Sequence, residues 1–336
     1  MFFPMGRSSR RCLHPSPRHP AGILCCSPCC SGNGDITDGL WYLSFHPFSP
    51  IRVDCRWMKR ARKVYEEDSE ARCSKVVNFI RSLRFSVPLH VLRGHKERRP
   101  CAKCGKRRQY YCYDCLTVVH PESHPPPLRL PLNVHVILHP GEARSKSTSL
   151  AASTISPDIH ITSYPGLPTD LDPECTLLLY PSAHSTELGS VEFLESYKNV
   201  IFIDSTWQQS KAIARDERLQ KYRHVRIKSQ MSLFWRFQNN DPTYLATVEA
   251  IYHFLKEFII HKNMHREGVD KPLYNGEVDD ILFYYINQYI GVQQNYCNNT
   301  KCYTTRHFEG YIIPSFSWDS LVSDLAGNGP SLNDNS

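Results

Sequence analysis

The sequence predicts an α/β protein built on a mostly parallel sheet flanked by helices. Two observations lead there. Five short runs, at residues 134–138, 159–164, 176–180, 200–204 and 224–228, are rich in β-branched residues or Leu and alternate with stretches of helical spacing. Strands buried on both faces read as near-continuous apolar runs, which is the pattern a helix-covered parallel sheet imposes. The run at 200–204 then ends in Asp204, and Ser205, Thr206 and Trp207 follow at once. A parallel strand delivers its last side chain to the carboxyl edge of the sheet, where the next helix begins with free N–H groups.

Taken in order, residues 1–57 mix Pro, Ser, Gly and Arg without sustained periodicity, so they are expected to be a disordered, non-homologous extension that activity does not need. Cys25, Cys26, Cys29 and Cys30 lie there, but no Cys or His pair follows at the distance a metal site uses. Met58 is expected as an alternative start. Residues 58–97 read as a helical, basic linker, with Val77, Ile80, Leu83 and Phe85 spaced for a helix over 76–92 that Pro88 ends. A cysteine module spans 98–120, and a Pro-rich connector spans 121–131. The main domain is placed at 130–292. Within it, Leu188, Val191 and Leu194 predict a helix over 186–197, and the hydroxyl at Ser205 opens one over 205–219. Asp241 and Pro242 offer an N-cap and a first-turn proline for a helix reaching about residue 260. A last amphipathic helix spans 277–290, and 293–336 is left as a tail.

The chain has 336 residues and a net charge of +7 with its sixteen histidines neutral, a balance that favours a polyanionic partner. It holds no apolar run long enough to predict a membrane span. Among its fourteen cysteines, Cys101 and Cys104 form one Cys-x-x-Cys pair and Cys112 and Cys115 a second. Without a secretory signal such pairs read as metal ligands rather than disulfides. Four thiolates close a tetrahedral shell, which suits structural zinc, and Gly105 permits the turn after the first pair. His95, His120 and His124 flank the module and read as solvated loop histidines rather than substitute ligands.

Basic residues crowd the same module: Arg93, Lys96, Arg98, Arg99, Lys103, Lys106, Arg107 and Arg108 are opposed only by Glu97. Tyr110, Tyr111 and Tyr113 follow, a pairing of charge and aromatic rings that suits a folded RNA. A second basic group runs from Lys211 through Arg215 and Arg218 to Arg236, beside Trp235 and Phe237. Two separate clusters point to phosphate contact, with Arg98, Arg99, Arg107, Arg108, Arg215 and Arg218 as the chosen contacts.

Several blocks taken together carry a resemblance. Ile203-Asp204-Ser205-Thr206-Trp207 is followed by Arg215-Asp216-Glu217-Arg218-Leu219, then by Phe234-Trp235-Arg236 and Thr247-Val248-Glu249-Ala250-Ile251, with the two cysteine pairs upstream. In content and order these blocks resemble the DTW-domain family over roughly residues 98–292. The resemblance implies a SPOUT-related core and a tRNA partner. It implies transfer of a 3-amino-3-carboxypropyl group from S-adenosylmethionine to N3 of a uridine, with methylthioadenosine leaving. It also implies a nuclear protein, with the cytoplasm as a second compartment. An RNA methyltransferase using the same donor and a non-catalytic, zinc-containing RNA-binding protein are the rival readings.

Neutral uracil is a poor nucleophile, so such an enzyme needs a group that takes or weakens the N3 proton. Asp204 is the candidate, as base or as the carboxylate that orients N3–H; N-capping is the plainer alternative. Ser205 and Thr206 can bind a carboxylate or phosphate, and Trp207 can stack on a base, face the sulfonium or pack in the core. The resemblance places Lys146, Ser147 and Thr148 in a donor-binding loop. It places Tyr180, Pro181 and Ser182 in the turn after the third strand, where the family prefers glycine near position 182. Thr247 and Glu249 match a Ser-Thr-x-Glu-Ala motif in which Ala246 replaces the serine. Glu249 reads either as partner of the donor ammonium or as partner of Arg218.

Overall fold

A computed structural model of the chain describes residues 69–168, 170–235, 243–264, 273–297, 311–313 and 316–327. The expected N-terminal extension, its cysteine cluster and the Asp241–Pro242 cap lie outside the described residues. In chain order, helices α1 (Ser69–Ser82) and α2 (Leu89–Arg93) precede two small hairpins. Strand β1 (Arg99–Pro100) pairs antiparallel with β2 (Arg107–Arg108), and β3 (Tyr111–Cys112) pairs antiparallel with β4 (Thr117–Val118). There follow β5 (Asn133–Leu138), α3 (Ser149–Ile155), β6 (Ile159–Ser163), β7 (Thr176–Leu179), β8 (Thr186–Glu187) and β9 (Asn199–Asp204). Helix α4 (Trp207–Ala214), β10 (Arg223–Arg226), α5 (Thr247–Met264), α6 (Phe283–Cys297) and α7 (Trp318–Gly327) complete the order.

Strands β5 to β10 form one sheet in the order β6-β5-β9-β7-β10-β8, with every neighbouring pair parallel. Successive side chains of a strand point to opposite faces. Val134, Val136, Val200 and Phe202 therefore share one face, whose large core is filled from α1, α3, α5 and α6. Ile137, Leu178 and Ile201 share the other, covered by Ile213 of α4 with Leu219 and Tyr222. Phe202 meets Phe254 of α5 edge to face at 5.7 Å. Asp204 has the same parity as Val200 and Phe202, so its carboxylate emerges on the α5 side of the sheet.

Several element boundaries differ from the sequence reading. The expected helix over 76–92 is two helices, and Pro88 caps the second rather than ending the first. The run 186–197 is a short edge strand and two 3-10 turns, at Leu188–Ser190 and Leu194–Ser196. Its three-residue apolar spacing serves a 3-10 turn as well as an α-helix. The helix expected from Ser205 starts at Trp207, stops at Ala214, and gives way to a 3-10 turn at Glu217–Leu219. The helix over 277–290 opens as a 3-10 turn, Asp279–Leu282, before α6. Helix α7 lies in what the sequence leaves as a tail, and Trp318 packs edge-on against Tyr289 at 5.5 Å. No helix among the described residues is long and apolar enough to cross a membrane.

Phe202 is 2% exposed in the middle of this packing. Phe202→Ala should cost about 3–5 kcal/mol of folding free energy through lost burial and a residual cavity. Denaturant unfolding measures it, and a loss below about 1 kcal/mol would show that the α5 face of the sheet is not tightly packed.

Candidate active site

Leu138, the last residue of β5, sits opposite Asp204, the last of β9. From β5 the chain runs on to β6 on one side. From β9 it runs to β10 on the other. The strand order thus reverses at these two carboxyl ends, which is where open parallel sheets bind ligands.

Asp204 is 7% exposed, and a carboxylate so buried must be hydrogen-bonded. Three hydroxyls serve it. Ser147 and Ser149 donate to Oδ2 at 2.6 and 2.5 Å, and Thr247 donates to Oδ1 at 2.9 Å. The loop after β5, the start of α3 and the first residue of α5 are thereby tied to the end of β9. Thr148 Oγ1 adds a second tie by accepting the backbone N–H of Val248 at 3.3 Å. Ser147, Thr148, Thr247 and Asp204 are thus brought together. Ser149 was missed, because a Ser-rich stretch looks like a solvated loop and only the fold turns its first helical residue inward.

The residues after Asp204 divide their tasks. Thr206, not Asp204 or Ser205, caps α4: its hydroxyl accepts from Gln209 N–H, and the Gln209 side chain accepts from Thr206 N–H, which is a capping box. Ser205 donates to Thr206 O at 3.1 Å. Trp207 is half-buried and meets the exposed ring of Tyr244 at 4.4 Å, edge to face. Lys146 is exposed on the loop that carries Ser147. Tyr180, Pro181 and Ser182 follow β7, the neighbour of β9, so they lie at the same edge of the sheet. Ser182 is held in a local turn in which its N–H reaches Ser185 Oγ and its own Oγ accepts His184 N–H.

Glu249 turns inward. It accepts from Ser232 Oγ and from the backbone N–H groups of Leu233 and Ala246, at 2.6–2.7 Å. Burial pushes its carboxyl above the ordinary range. A cavity of about 220 Å³ adjoins it, lined by Lys75, Phe79, Met231, His253 and Tyr285 among others. Arg218 does not reach Glu249. Its guanidinium pairs with both oxygens of Asp216, at 2.9 and 2.6 Å, and donates to Pro165 O. The Arg218 hydrogen bonds lead in holding Asp216 down to about 2. Arg215 is exposed just past α4.

The two hairpins upstream bring the four cysteines together. The sulfurs of Cys101, Cys104, Cys112 and Cys115 all lie within 4.8 Å of one another, and Cys104 and Cys112 are 3.7 Å apart. Zinc–sulfur bonds of about 2.3 Å in a tetrahedron set sulfurs roughly 3.8 Å apart, so the donor set fits zinc and is far too open for a disulfide. Gly105 takes φ +69° and closes the first knuckle through its N–H to Cys101 O at 2.8 Å. Burial pushes the Cys112 thiol up. Hydrogen bonds from the Cys115 and Asp114 backbone, Cys104 and Arg108 outweigh it and bring the thiol down to about 6. Arg108 is held inside the module, over the Tyr113 ring at 4.0 Å and on Asp114 at 2.7 Å. Arg99 pairs with Glu122, whereas Arg98 and Arg107 are exposed. Arg144, on the loop after β5, donates to Tyr113 O at 2.9 Å. The module is therefore seated against the loop that supplies Ser147.

A family model for the DTW domain matches residues 109–286, more than half of the chain. The chain belongs to the DTW-domain family. It is similar to the proteins named tRNA-uridine aminocarboxypropyltransferase 1 from several vertebrates. The Mus musculus protein is 32% identical over 239 residues, 57% of this chain and 76% of the relative. The Homo sapiens protein is 31% identical over 251 residues, 61% of this chain and 80% of the relative. The Xenopus laevis protein is 31% identical over 239 residues, 58% of this chain and 80% of the relative. No solved structure matches.

The matched DTW segment takes in Cys112 and Cys115 and begins just after Cys101 and Cys104. The structure also gives one departure from the DTW pattern a physical meaning. Ala246 is the N-cap of α5, since its carbonyl accepts Ala250 N–H at 2.9 Å, and Glu249 reaches back to its N–H at 2.7 Å. That is one limb of a capping box; a serine at 246 would supply the other.

Two predictions follow from this geometry. Purified protein should hold zinc that the double variant Cys101→Ser, Cys115→Ser loses, one equivalent per chain by metal analysis; equal zinc in both would refute the cluster. Asp204→Asn should destabilise the fold by about 1–3 kcal/mol, because an amide nitrogen replaces one acceptor and leaves a buried hydroxyl unmet. Urea unfolding of Ser149→Ala beside it distinguishes the cage from a lone cap. If both variants unfold at the wild-type midpoint, the three hydroxyls do not hold the site together.

Proposed function

We propose that the protein transfers the 3-amino-3-carboxypropyl group of S-adenosylmethionine to N3 of a uridine in tRNA and releases methylthioadenosine. The observation that carries the reading is the Asp204 carboxylate, caged by Ser147, Ser149 and Thr247 at the strand-order reversal and beside the basic cysteine module. The names of its relatives, tRNA-uridine aminocarboxypropyltransferase 1, support the same activity.

The reaction joins uracil N3 to the γ-carbon of the donor's amino-acid arm. The bond from that carbon to sulfur breaks, its electrons neutralise the sulfonium, and the N3 proton leaves to a base. A carboxylate offers about four acceptor sites. The hydroxyls use two on Oδ2 and one on Oδ1, so Oδ1 keeps one for N3–H. The cage fixes that oxygen in place, and a positioned base typically contributes about a hundred- to ten-thousandfold. Trp207, with Tyr244 edge-on, offers a π-face to uracil or adenine. Lys146 stands on the caged loop as the partner of the donor carboxylate.

The cysteine module completes the proposal. Cys101, Cys104, Cys112 and Cys115 would hold a structural zinc ion, which closes the knuckles and takes no part in the transfer. Arg98 and Arg107 present positive charge to tRNA phosphates from that module. The SPOUT-related reading of the core is supported by the all-parallel order in which β9, late in the chain, inserts between the earlier β5 and β7. Nuclear residence, with the cytoplasm second, belongs to the same proposal.

The test is mass spectrometry of tRNA nucleosides after incubation of the protein with S-adenosylmethionine. The expected result is a uridine carrying the aminocarboxypropyl mass, with methylthioadenosine formed in equal amount. A methylated nucleoside with S-adenosylhomocysteine would replace the proposal by methyl transfer; tRNA binding without a new nucleoside would replace it by a binding role.

A further inference from the structure

We propose that Arg108 is the positioning residue of the metal site in the cysteine module: it clamps the second knuckle in ligating shape and balances the charge of the sulfurs, rather than contacting nucleic acid. The second Cys-x-x-Cys pair has two spacers, Tyr113 and Asp114, and Arg108 grips both. Its guanidinium carbon lies over the Tyr113 ring, 4.0 Å from the centroid, and Nη2 donates to Asp114 Oδ2 at 2.7 Å. The same head hydrogen-bonds the sulfur of Cys112. A planar guanidinium that stacks and forks at once fixes a loop in a way that a lysine does not reproduce.

The backbone and the head of Arg108 belong to different knuckles. Arg108 ends β2, whose pairing with β1 closes the loop that carries Cys101 and Cys104, and Cys101 N–H is fixed to Lys106 O at 2.9 Å. Tyr113 and Asp114 lie on the loop between β3 and β4, which starts from Cys112 and carries Cys115. One side chain thus ties the two halves of the sulfur set together. Its grip also bears on the rest of the protein, because Arg144 of the loop after β5 docks on Tyr113 O.

Charge leads to the same residue. Four thiols are neutral, whereas four thiolates around zinc carry two net negative charges, and Cys101 and Cys112 are buried. A buried charge is costly without a counter-charge, so a neighbouring cation favours the loaded site over the empty one. Lys106 and Arg108 share the carboxylate of Asp114, which leaves one positive charge over beside the sulfurs. The Lys106 side chain is 60% exposed and screened by solvent; that of Arg108 is 15% exposed and keeps its effect. The same burial withdraws Arg108 from a phosphate, in contrast to the exposed Arg107. The proposal rests on the zinc assignment and is independent of the transfer reading.

Zinc affinity of the full chain, read by competition with a chelating dye, is compared for the wild type, Arg108→Gln, Arg108→Lys and Arg107→Gln. This measurement needs neither S-adenosylmethionine nor tRNA. Arg108→Gln should bind zinc about 10- to 100-fold more weakly, the usual effect of losing an outer-shell partner. Arg108→Lys, which keeps the charge, should recover part of that loss, and Arg107→Gln should match the wild type. Saturated with cobalt(II), Arg108→Gln should show its thiolate charge-transfer band at longer wavelength, because a sulfur without its N–H donor is richer in electrons. Looser packing alone would not move that band. An affinity within about threefold of the wild type, well short of an outer-shell effect, would overturn the proposal. So would an unmoved cobalt band, or an equal loss in Arg107→Gln. A fall of about one in the salt slope of tRNA binding by zinc-saturated Arg108→Gln would overturn it too, since that is the mark of a lost phosphate contact.

Discussion

A carboxylate buried at the end of a central strand must find hydrogen-bond donors where it stands, and Asp204 finds them in three different parts of the chain. Ser147 and Ser149 come from the turn into α3, and Thr247 comes from the first turn of α5. The donors are 57, 55 and 43 residues away in sequence. They are brought together because β5 and β9 are parallel neighbours in register and α5 packs on the face to which even-numbered residues of β9 point. The carboxylate therefore acts as the knot of the carboxyl edge. One of its ties, to Ser147, falls on the loop after β5, the same loop that seats the cysteine module.

That seat links the two halves of the molecule. Arg144 lies on the same loop as Ser147 and binds the backbone of the second knuckle at Tyr113. On the other flank Tyr111 of the module packs against Tyr284 of α6, with centroids 5.0 Å apart. Several basic residues are engaged within the protein. Arg108 and Arg218 form close ion pairs that build the local fold, Arg108 within the knuckle and Arg218 between the turn after α4 and the loop after β6. A guanidinium already engaged bidentately by a carboxylate has less to offer a phosphate.

Glu249 shows how one motif residue can sustain a site without facing it. Its three donors bind it into the protein, and one of them is the N-cap of α5. The carboxylate thereby sets where α5 begins and where Thr247 points. With Ala246 at the cap, the helix start depends on Glu249 and on the Thr247–Asp204 contact rather than on a cap hydroxyl.

The amino-acid sequence by itself determined the parallel α/β class, the four-cysteine module and the strand end that carries Asp204. Each depends on local pattern: continuous apolar runs, a pair spacing short enough to wrap one ion, and a strand-to-helix junction marked by polar residues. Only the tertiary structure decided which hydroxyls serve Asp204, that Ser149 is among them, and which arginines are engaged within the protein. It also decided that Thr206 is the cap and that His120 is buried against the His95 ring rather than solvated. These depend on strand order and register, which pair residues far apart in the chain. Helical spacing at Leu188, Val191 and Leu194 misled for the same reason. A three-residue repeat fits a 3-10 turn and an α-helix alike, and the packing around the edge strand chose between them.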